Sequence, residues 1–208
     1  MPSQKTSKSQ SKPVVGILGG LCSGKTTVAK MLEEEGFCRI DADMLGHEVL
    51  KRREVRTRLV KIFGDQILGD AGEIDREKLA QIAFQSRDDL EKLNEIVHPI
   101  ILRKIKNQIR ETNKPVVLDA ALLIETDLHR EQCTDLVFVN SPLEERRQRA
   151  KKQRNWESEE LAKRENLQID PARKKELADY IVENSGSERD LRRAVKQLSN
   201  QLKQKLNC

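Results

Sequence analysis

Aromatic residues are scarce in this 208-residue chain, which has one Trp, one Tyr and four Phe. Proteins that bind single-stranded nucleic acid usually stack bases on aromatic side chains, so this composition disfavours a nucleic-acid partner. No apolar run approaches the roughly 20 residues that a membrane-spanning helix needs. Residues 1–12 are polar and basic and lack the apolar core of a signal peptide. We expect a disordered tail over residues 1–12 and no membrane partner.

Cysteine and histidine are too few and too scattered to indicate a metal centre or a disulfide framework. The four cysteines, Cys22, Cys38, Cys133 and Cys208, form no C-x-x-C pair, and the chain has only three histidines. This usage favours a reducing, cytoplasmic location. The formal net charge of +5 suits nucleic acid or an enzyme with phosphorylated substrates, so composition alone leaves the function open.

Short apolar runs alternate with helical patterns along the chain. The strand candidates are residues 14–18, 37–43, 115–124, 135–141 and 180–184. The alternation predicts an α/β fold, a three-layer sandwich around a five-stranded, mostly parallel sheet. Two helical excursions, residues 44–112 and 142–178, interrupt it, and we expect Pro99 to break a helical run in the first. Ser187 and Asp190 have the spacing of a helix start.

A glycine-rich turn separates the first strand candidate from a helical pattern. It reads GGLCSGKT and fits G-x-x-x-x-G-K-[ST], the phosphate-binding loop called the P-loop. Glycines let backbone N–H groups converge on phosphate oxygens, Lys25 adds a positive charge, and the Thr26 hydroxyl can bind Mg²⁺. A chance glycine-rich turn is the alternative, but the position between strand and helix favours a P-loop NTPase fold that binds ATP. The nucleotide-binding candidates are Gly20, Leu21, Cys22, Ser23, Gly24, Lys25, Thr26 and Thr27.

Two sets of charged residues are candidates for chemistry at the bound phosphates. Asp41 and Asp43 would point the same way in extended backbone, where a carboxylate could accept a proton from a hydroxyl or help to hold the metal. A solvated loop is the alternative for this pair. Asp119 ends an apolar run, as a metal-binding acid does, although such an acid can equally be structural. The arginine-rich residues 142–154 predict a lid over the phosphates or a solvated helix face.

Several stretches follow one another in order between Val14 and Leu202. They read VVGILGGLCSGKTTVAKMLEEEG, IDAD, GEIDREKLAQIAF, LNEIVHPII, VVLDAALLIE and LADYIVENSGS. Together they resemble the dephospho-coenzyme A kinase family. The P-loop occurs in many NTPases, whereas the other motifs at these distances are much more specific. The resemblance implies transfer of the γ-phosphoryl group of ATP to the ribose 3′-hydroxyl of dephospho-CoA, the last step of coenzyme A synthesis.

The resemblance also implies roles for particular positions. It implies one kinase domain over residues 13–208, in which residues 44–112 bind the acceptor and residues 142–178 form the lid. Asp43 matches the carboxylate proposed as general base in the family. The other implied positions are Asp41, His98, Asp119 and Leu122 at the acceptor, Asn184 and Gly186 near the adenine, Lys25 on the phosphates, and Arg147 and Arg154 in the lid.

The chain departs from the family pattern at three places. Ala121 stands where a proline normally precedes Leu122. The lid segment is a residue or two longer than is usual in the family, so the alignment does not settle which arginine matches which family position. Cys22 stands where the P-loop commonly has glycine or another small residue. A thiol beside a helix N-terminus and Lys25 should have a lowered pKa, so oxidation of Cys22 could block ATP binding reversibly. A tolerated small residue is the alternative.

Other functions remain open at this stage. Another small-molecule or nucleotide kinase would share the P-loop and lid but bind a different acceptor in residues 44–112. A GTPase switch is disfavoured because the sequence NKPV at 113–116 lacks the aspartate of the guanine signature. A nucleic-acid-dependent ATPase could use the basic stretches but has few aromatic residues. We expect a monomer or a weak homo-oligomer.

Overall fold

The computed structural model describes residues 12–83 and 85–205. Apart from Lys12, the expected tail lies outside the described residues, and so does Cys208. The chain divides into two compact units, one formed by residues up to Ile40 and from Thr112 onward, the other by Asp41–Glu111. The bounds of the second unit nearly coincide with those expected for the acceptor-binding insertion, 44–112.

The first unit is built on a five-stranded sheet. Its strands are β1 Val14–Leu18, β2 Cys38–Asp41, β3 Val116–Asp119, β4 Asp135–Asn140 and β5 Tyr180–Glu183. They lie in the order β2-β3-β1-β4-β5. β1 pairs in parallel with β3 and with β4, and β4 pairs in parallel with β5. The predicted α/β fold with a five-stranded parallel sheet is confirmed.

Helices connect these strands and make up the second unit. They are α1 Lys25–Glu34, α2 Ala42–Leu50, α3 Arg53–Phe63, α4 Arg76–Ala83, α5 Arg87–Glu111, α6 Leu128–Gln132, α7 Leu143–Arg154, α8 Ser158–Glu165, α9 Pro171–Glu176 and α10 Glu188–Gln204, with a 3₁₀ turn at Asp65–Ile67. In residues 12–83 and 85–205, none of the helices has the length and apolarity to cross a membrane. α7, α8 and α9 occupy the segment expected to be the lid.

β1 is the central strand of the sheet, and all five of its residues are buried. The uninterrupted apolar run fits a strand that is covered on both faces. α1 and α10 contribute to the same core as β1, through residues such as Val28 and Val195. This packing fixes the end of β1, where the glycine-rich turn begins.

The second unit has an apolar core of its own, formed by residues that include Val49, Leu59 and Ile96. α5 is a 25-residue helix that continues through Pro99, so the expected break there is wrong. Proline in a helix costs about 3 kcal/mol because a hydrogen bond is lost. Burial of Ile96 and Val97 on the preceding turn offsets that cost.

β2 and β3 end two and five residues earlier than expected, and a local hydrogen bond forms at each end. The Asp41 carboxylate accepts from the Met44 N–H at 3.0 Å and caps α2. Asp41 is thus the last residue of β2, in extended backbone, whereas Asp43 lies in the first turn of a helix, so the expectation of extended backbone is wrong for Asp43. β3 ends at Asp119, and the following turn is closed by the Thr126 hydroxyl, which donates to the Leu122 carbonyl at 2.8 Å.

Gly16 offers a test of how tightly β1 is packed. A Cβ at Gly16 would lie 2.5 Å from Leu123 Cδ2 and 2.8 Å from Cys133 Sγ. We expect Gly16→Ala to lower the free energy of unfolding by about 1–3 kcal/mol through overpacking, as measured by urea denaturation followed by circular dichroism. The control is Gly46→Ala in α2, where the new Cβ would make an ordinary 3.7 Å contact with Ile101. Equal stability of the Gly16→Ala variant and the wild type would contradict tight packing.

Candidate active site

The glycine-rich turn at 19–26 joins β1 to α1, and its conformation requires glycine. Gly24 has φ 96° and precedes the first residue of α1, Lys25. A Cβ at Gly24 would lie 2.3 Å from Asn184 Nδ2. No side chain caps α1 through a hydrogen bond, so the N–H groups of its first turn can bind an anion.

Lys25 and Thr26 stand at the start of α1 with their polar groups near this turn. Lys25 Nζ donates to the carbonyl oxygens of Gly19 at 3.1 Å and Gly20 at 2.9 Å, which holds the ammonium group against the loop. Thr26 and Thr27 are exposed. The ammonium group of Lys25 therefore lies at the turn, and the two exposed threonines follow it in the first turn of α1.

Asn184 links the end of β5 to the P-loop. Its side-chain Nδ2 donates to the Ser23 carbonyl at 2.7 Å, and its backbone N–H donates to the Asn140 carbonyl at 2.8 Å. The Ser23 hydroxyl is buried, and no group in residues 12–83 and 85–205 forms a hydrogen bond with it. Gly186 lies two residues further on, just before Ser187, whose side chain accepts from Asp190 N–H and caps α10 as expected.

Arg146 and Arg149 of α7 contact the P-loop. Arg149 Nη2 donates to the Asn184 carbonyl at 3.0 Å, and its Nη1 lies 3.4 Å from the Ser23 carbonyl oxygen. Arg146 Nη1 lies 3.4 Å from the Leu21 carbonyl oxygen. Residues three apart share a helix face, so 146 and 149 can reach the loop together. Neither arginine was predicted as a phosphate contact, because a run of charges in the sequence does not reveal which face of the helix is packed.

The two expected lid arginines have different surroundings. Arg147 is 45% exposed and pairs with Glu144 at 3.7 Å. Arg154 places its guanidinium 4.8 Å from the centre of the Trp156 ring, and its charge also acts on the Cys22 thiol. The contacts to the P-loop therefore favour Arg146 and Arg149 over Arg147, and Arg154 is near enough for its charge to act on Cys22.

Glu165, at the end of α8, brings a carboxylate to the P-loop. Its Oε1 accepts from the Leu21 N–H at 3.1 Å and forms an ion pair with Arg146 Nη1. The side chains of Arg146 and Glu165 are only 11% and 17% exposed. No motif pointed to Glu165 in the sequence.

A second ion pair joins the lid segment to the turn after β3. Lys174 is 2% exposed, and its Nζ lies 2.7 Å from Glu125 Oε1. Gln168 accepts from the same ammonium group at 3.2 Å, and the Ile169 N–H donates to the same carboxylate oxygen at 3.1 Å. This end of the lid segment is thereby held to the body of the first unit.

A cavity of about 180 Å³ lies beside the P-loop. Its lining includes Gly20, Ser23, Ser141, Arg146 and Ala172. Pockets that enclose a drug-sized ligand usually measure about 300–1,000 Å³. The cavity is smaller than such a pocket, and Arg146 forms part of its wall.

Asp119 and Leu122 lie at the carboxyl end of β3. Asp119 is 6% exposed, and its Oδ2 accepts from Arg39 Nη2 of β2 at 2.8 Å. Leu122 is half-buried, and its carbonyl accepts from Thr126 in the turn that contains Ala121. This buried ion pair suits a structural role of Asp119 as well as a binding role.

The acceptor candidates Asp41, Asp43 and His98 belong to the second unit. Asp43 is exposed in the first turn of α2, and His47 follows one turn later on the same face. Burial and the charge of Arg76 lower the pKa of His47, against the opposing effect of Asp43. His98 is half-buried in α5, and burial lowers its pKa, so it is neutral at pH 7.

Cys22 adopts a left-handed backbone conformation with φ 58°, which explains why glycine suits this position. Burial raises the pKa of the Cys22 thiol above its ordinary value of 9.0, and this outweighs the opposing charges of Arg154, Lys25 and Arg146. The expectation of a lowered pKa is wrong, because proximity to positive charge was counted and desolvation was not. The proposed oxidation switch loses its physical basis.

The raised pKa can be measured directly. We expect the alkylation rate of Cys22 to rise with pH through 9.0 without reaching a plateau, because only the thiolate reacts. The measurement uses a variant in which Cys38, Cys133 and Cys208 are serine. The control is a small-molecule thiol of ordinary pKa under the same conditions. A plateau near pH 7 would contradict the burial argument.

Comparison with known proteins identifies close relatives. The sequence model of the family described as dephospho-CoA kinase matches residues 13–190. A dephospho-CoA kinase of Carboxydothermus hydrogenoformans is 35% identical over 84% of this chain and 87% of that relative. The crystal structure of TT1252 from Thermus thermophilus superposes with a TM-score of 0.80 at 31% identity, covering 92% of this chain and 98% of that one. The dephospho-CoA kinase from Campylobacter jejuni gives 0.62 at 25% identity, covering 92% and 97%.

Proposed function

Because this chain belongs to the dephospho-CoA kinase family, we propose that it transfers the γ-phosphoryl group of ATP to the ribose 3′-hydroxyl of dephospho-CoA. The products are coenzyme A and ADP. The observation that carries the proposal is the glycine turn before α1, with Lys25 and two lid arginines against it. Such a turn holds phosphates, and the family supplies the acceptor.

The P-loop holds the nucleotide in this proposal. The N–H groups of the turn and the Lys25 ammonium bind the phosphates, and the exposed Thr26 hydroxyl binds Mg²⁺. In residues 12–83 and 85–205, no group of three or more His, Cys, Asp or Glu could hold a metal ion. A site made of the Thr26 hydroxyl and phosphate oxygens fits Mg²⁺, which usually takes few protein ligands beside substrate phosphates. When bound, Mg²⁺ neutralises charge on the phosphates.

Asp43 acts on the acceptor. Its place in the first turn of α2 favours the ionised carboxylate, since the helix N-terminus carries partial positive charge. An ionised carboxylate can orient the 3′-hydroxyl and accept its proton as the phosphoryl group transfers. Asp41 supports Asp43 by capping the helix, while His98, Asp119 and Leu122 remain candidates for acceptor binding, and Asn184 and Gly186 for contact near the adenine.

The lid supplies charge and excludes water. We assign three arginines to the closed lid: Arg146, Arg149 and Arg154. Phosphoryl transfer depends mainly on positioning and on neutralising charge, so arginines that reach the P-loop suit it. We further infer that residues 13–208 act as one kinase domain in the cytoplasm, as a monomer or weak homo-oligomer, without a nucleic-acid or membrane partner.

The acceptor assignment is tested by measuring ADP release with ATP and Mg²⁺. Dephospho-CoA is compared with AMP, pantothenate, shikimate and no acceptor, and the product is identified by mass spectrometry. We expect ADP release that depends on dephospho-CoA, with coenzyme A as product. Release with another acceptor would favour a different small-molecule kinase, and stimulation by nucleic acid would favour an ATPase.

Asp43→Asn tests the proposed base. We expect kcat to fall on the order of 100-fold, because the amide cannot accept the hydroxyl proton. The KM for ATP should change little, since the P-loop is untouched. The matched control is Asp70→Asn, the same substitution at an exposed residue in a loop of the second unit. Wild-type kcat in the Asp43 variant would exclude the base role.

A further inference from the structure

Glu165 occupies an unusual place for an acidic residue. Its carboxylate accepts a hydrogen bond from the Leu21 N–H of the P-loop and pairs with Arg146. Backbone N–H groups of a P-loop and arginines of a lid are the groups that bind nucleotide phosphates. A negatively charged side chain at this point meets the same partners that a phosphate oxygen would meet.

The close approach depends on Gly20. A Cβ at Gly20 would lie 2.6 Å from Arg146 Nη1 and 3.0 Å from Glu165 Oε1. Arg146 Nη1 also lies 3.4 Å from the Leu21 carbonyl oxygen, so the guanidinium sits directly against the loop. The three groups form one compact cluster, with the carboxylate between the guanidinium and the N–H group.

The turn between α7 and α8 holds this cluster in position. Two guanidinium groups lie over the Trp156 ring, that of Arg154 at 4.8 Å and that of Arg164 at 4.4 Å from its centre. Arg164 also pairs with Glu160 at 2.6 Å along α8. Since Arg164 directly precedes Glu165, this stack fixes the end of α8 that carries the carboxylate.

We propose that the Glu165 carboxylate occupies the position of a nucleotide phosphate, bound to the Leu21 N–H and the Arg146 guanidinium. When ATP binds, its phosphate replaces the carboxylate, and Arg146 then binds that phosphate. The proposal rests on the nucleotide use of the proposed function. Arg146 also lines the cavity of about 180 Å³ beside the P-loop, together with Gly20 and Ser23. Binding of ATP exchanges one anion for another, so Arg146 is never left unpaired beside the loop.

If a phosphate replaces the Glu165 carboxylate, the direction in which a substitution of Glu165 changes the affinity for ATP can be predicted. Glu165→Gln removes the competing charge and leaves Arg146 for the phosphates. We expect the Kd for ATP to fall on the order of tenfold, the size of one charge-assisted hydrogen bond. A purely structural role of Glu165 would have the opposite effect, because loss of the ion pair would loosen the P-loop and weaken ATP binding.

The experiment is isothermal titration calorimetry of ATP and AMP with the full chain, without acceptor. The increase in affinity caused by Glu165→Gln should be large for ATP and small for AMP, because AMP lacks the β- and γ-phosphates. Glu159→Gln, an exposed exchange on α8, is the matched control and should bind ATP like the wild type.

A second variant tests Arg146. Arg146→Met should raise the Kd for ATP on the order of tenfold, while Lys152→Met, an exposed exchange on the same helix, should not change it. The proposal is overturned if the Kd of Glu165→Gln for ATP is unchanged or higher, or if its affinity for AMP increases as much as its affinity for ATP. Failure of the wild type to bind ATP would instead refute the nucleotide use itself. The acceptor assignment is not involved in either result.

Discussion

The hydrogen bond from Asn184 to the Ser23 carbonyl, 2.7 Å long and buried, is the constraint on which the site depends. It joins the end of the edge strand β5 to the loop after the central strand β1, across β4. Only glycine at position 24 leaves room for the Asn184 amide, and Gly24 in turn sets the direction in which α1 begins. Arg149 donates to the main-chain carbonyl of Asn184, so α7 contacts the same junction. The P-loop, β5 and α7 thereby meet at one residue, Asn184.

The electrostatics of the P-loop are more balanced than its sequence suggests. Lys25, Arg146 and Arg149 bring three positive charges to the turn, yet each is met by backbone carbonyls or by a carboxylate. Burial rather than this positive charge decides the ionisation of Cys22. A site built in this way attracts phosphates without leaving cations exposed to unspecific anions, because any incoming anion must replace partners that are already present.

The sequence predicts much of this molecule because its strongest signals are local. The apolar run of β1, the glycine spacing and the Ser187 cap each depend on a few neighbouring residues, and all three appear in the structure. Asp43 was expected in extended backbone because the start of α2 depends on one hydrogen bond, from the Met44 N–H to the Asp41 carboxylate. The contacts of Arg146, Glu165 and Lys174 were not predictable, since their partners are distant in the chain and similar charges surround them. Family resemblance supplied the acceptor, which no local pattern encodes.

The buried pair of Lys174 and Glu125 has a consequence for how the family can vary. Each charge is shielded from water, so loss of one leaves the other without solvation, at a cost of about 3–5 kcal/mol. Exchange of both for apolar residues of similar volume carries a much smaller cost. Evolution at these two sites is therefore constrained to paired replacement: relatives that lack the lysine should also lack the glutamate, although 48 residues separate the two positions in the chain.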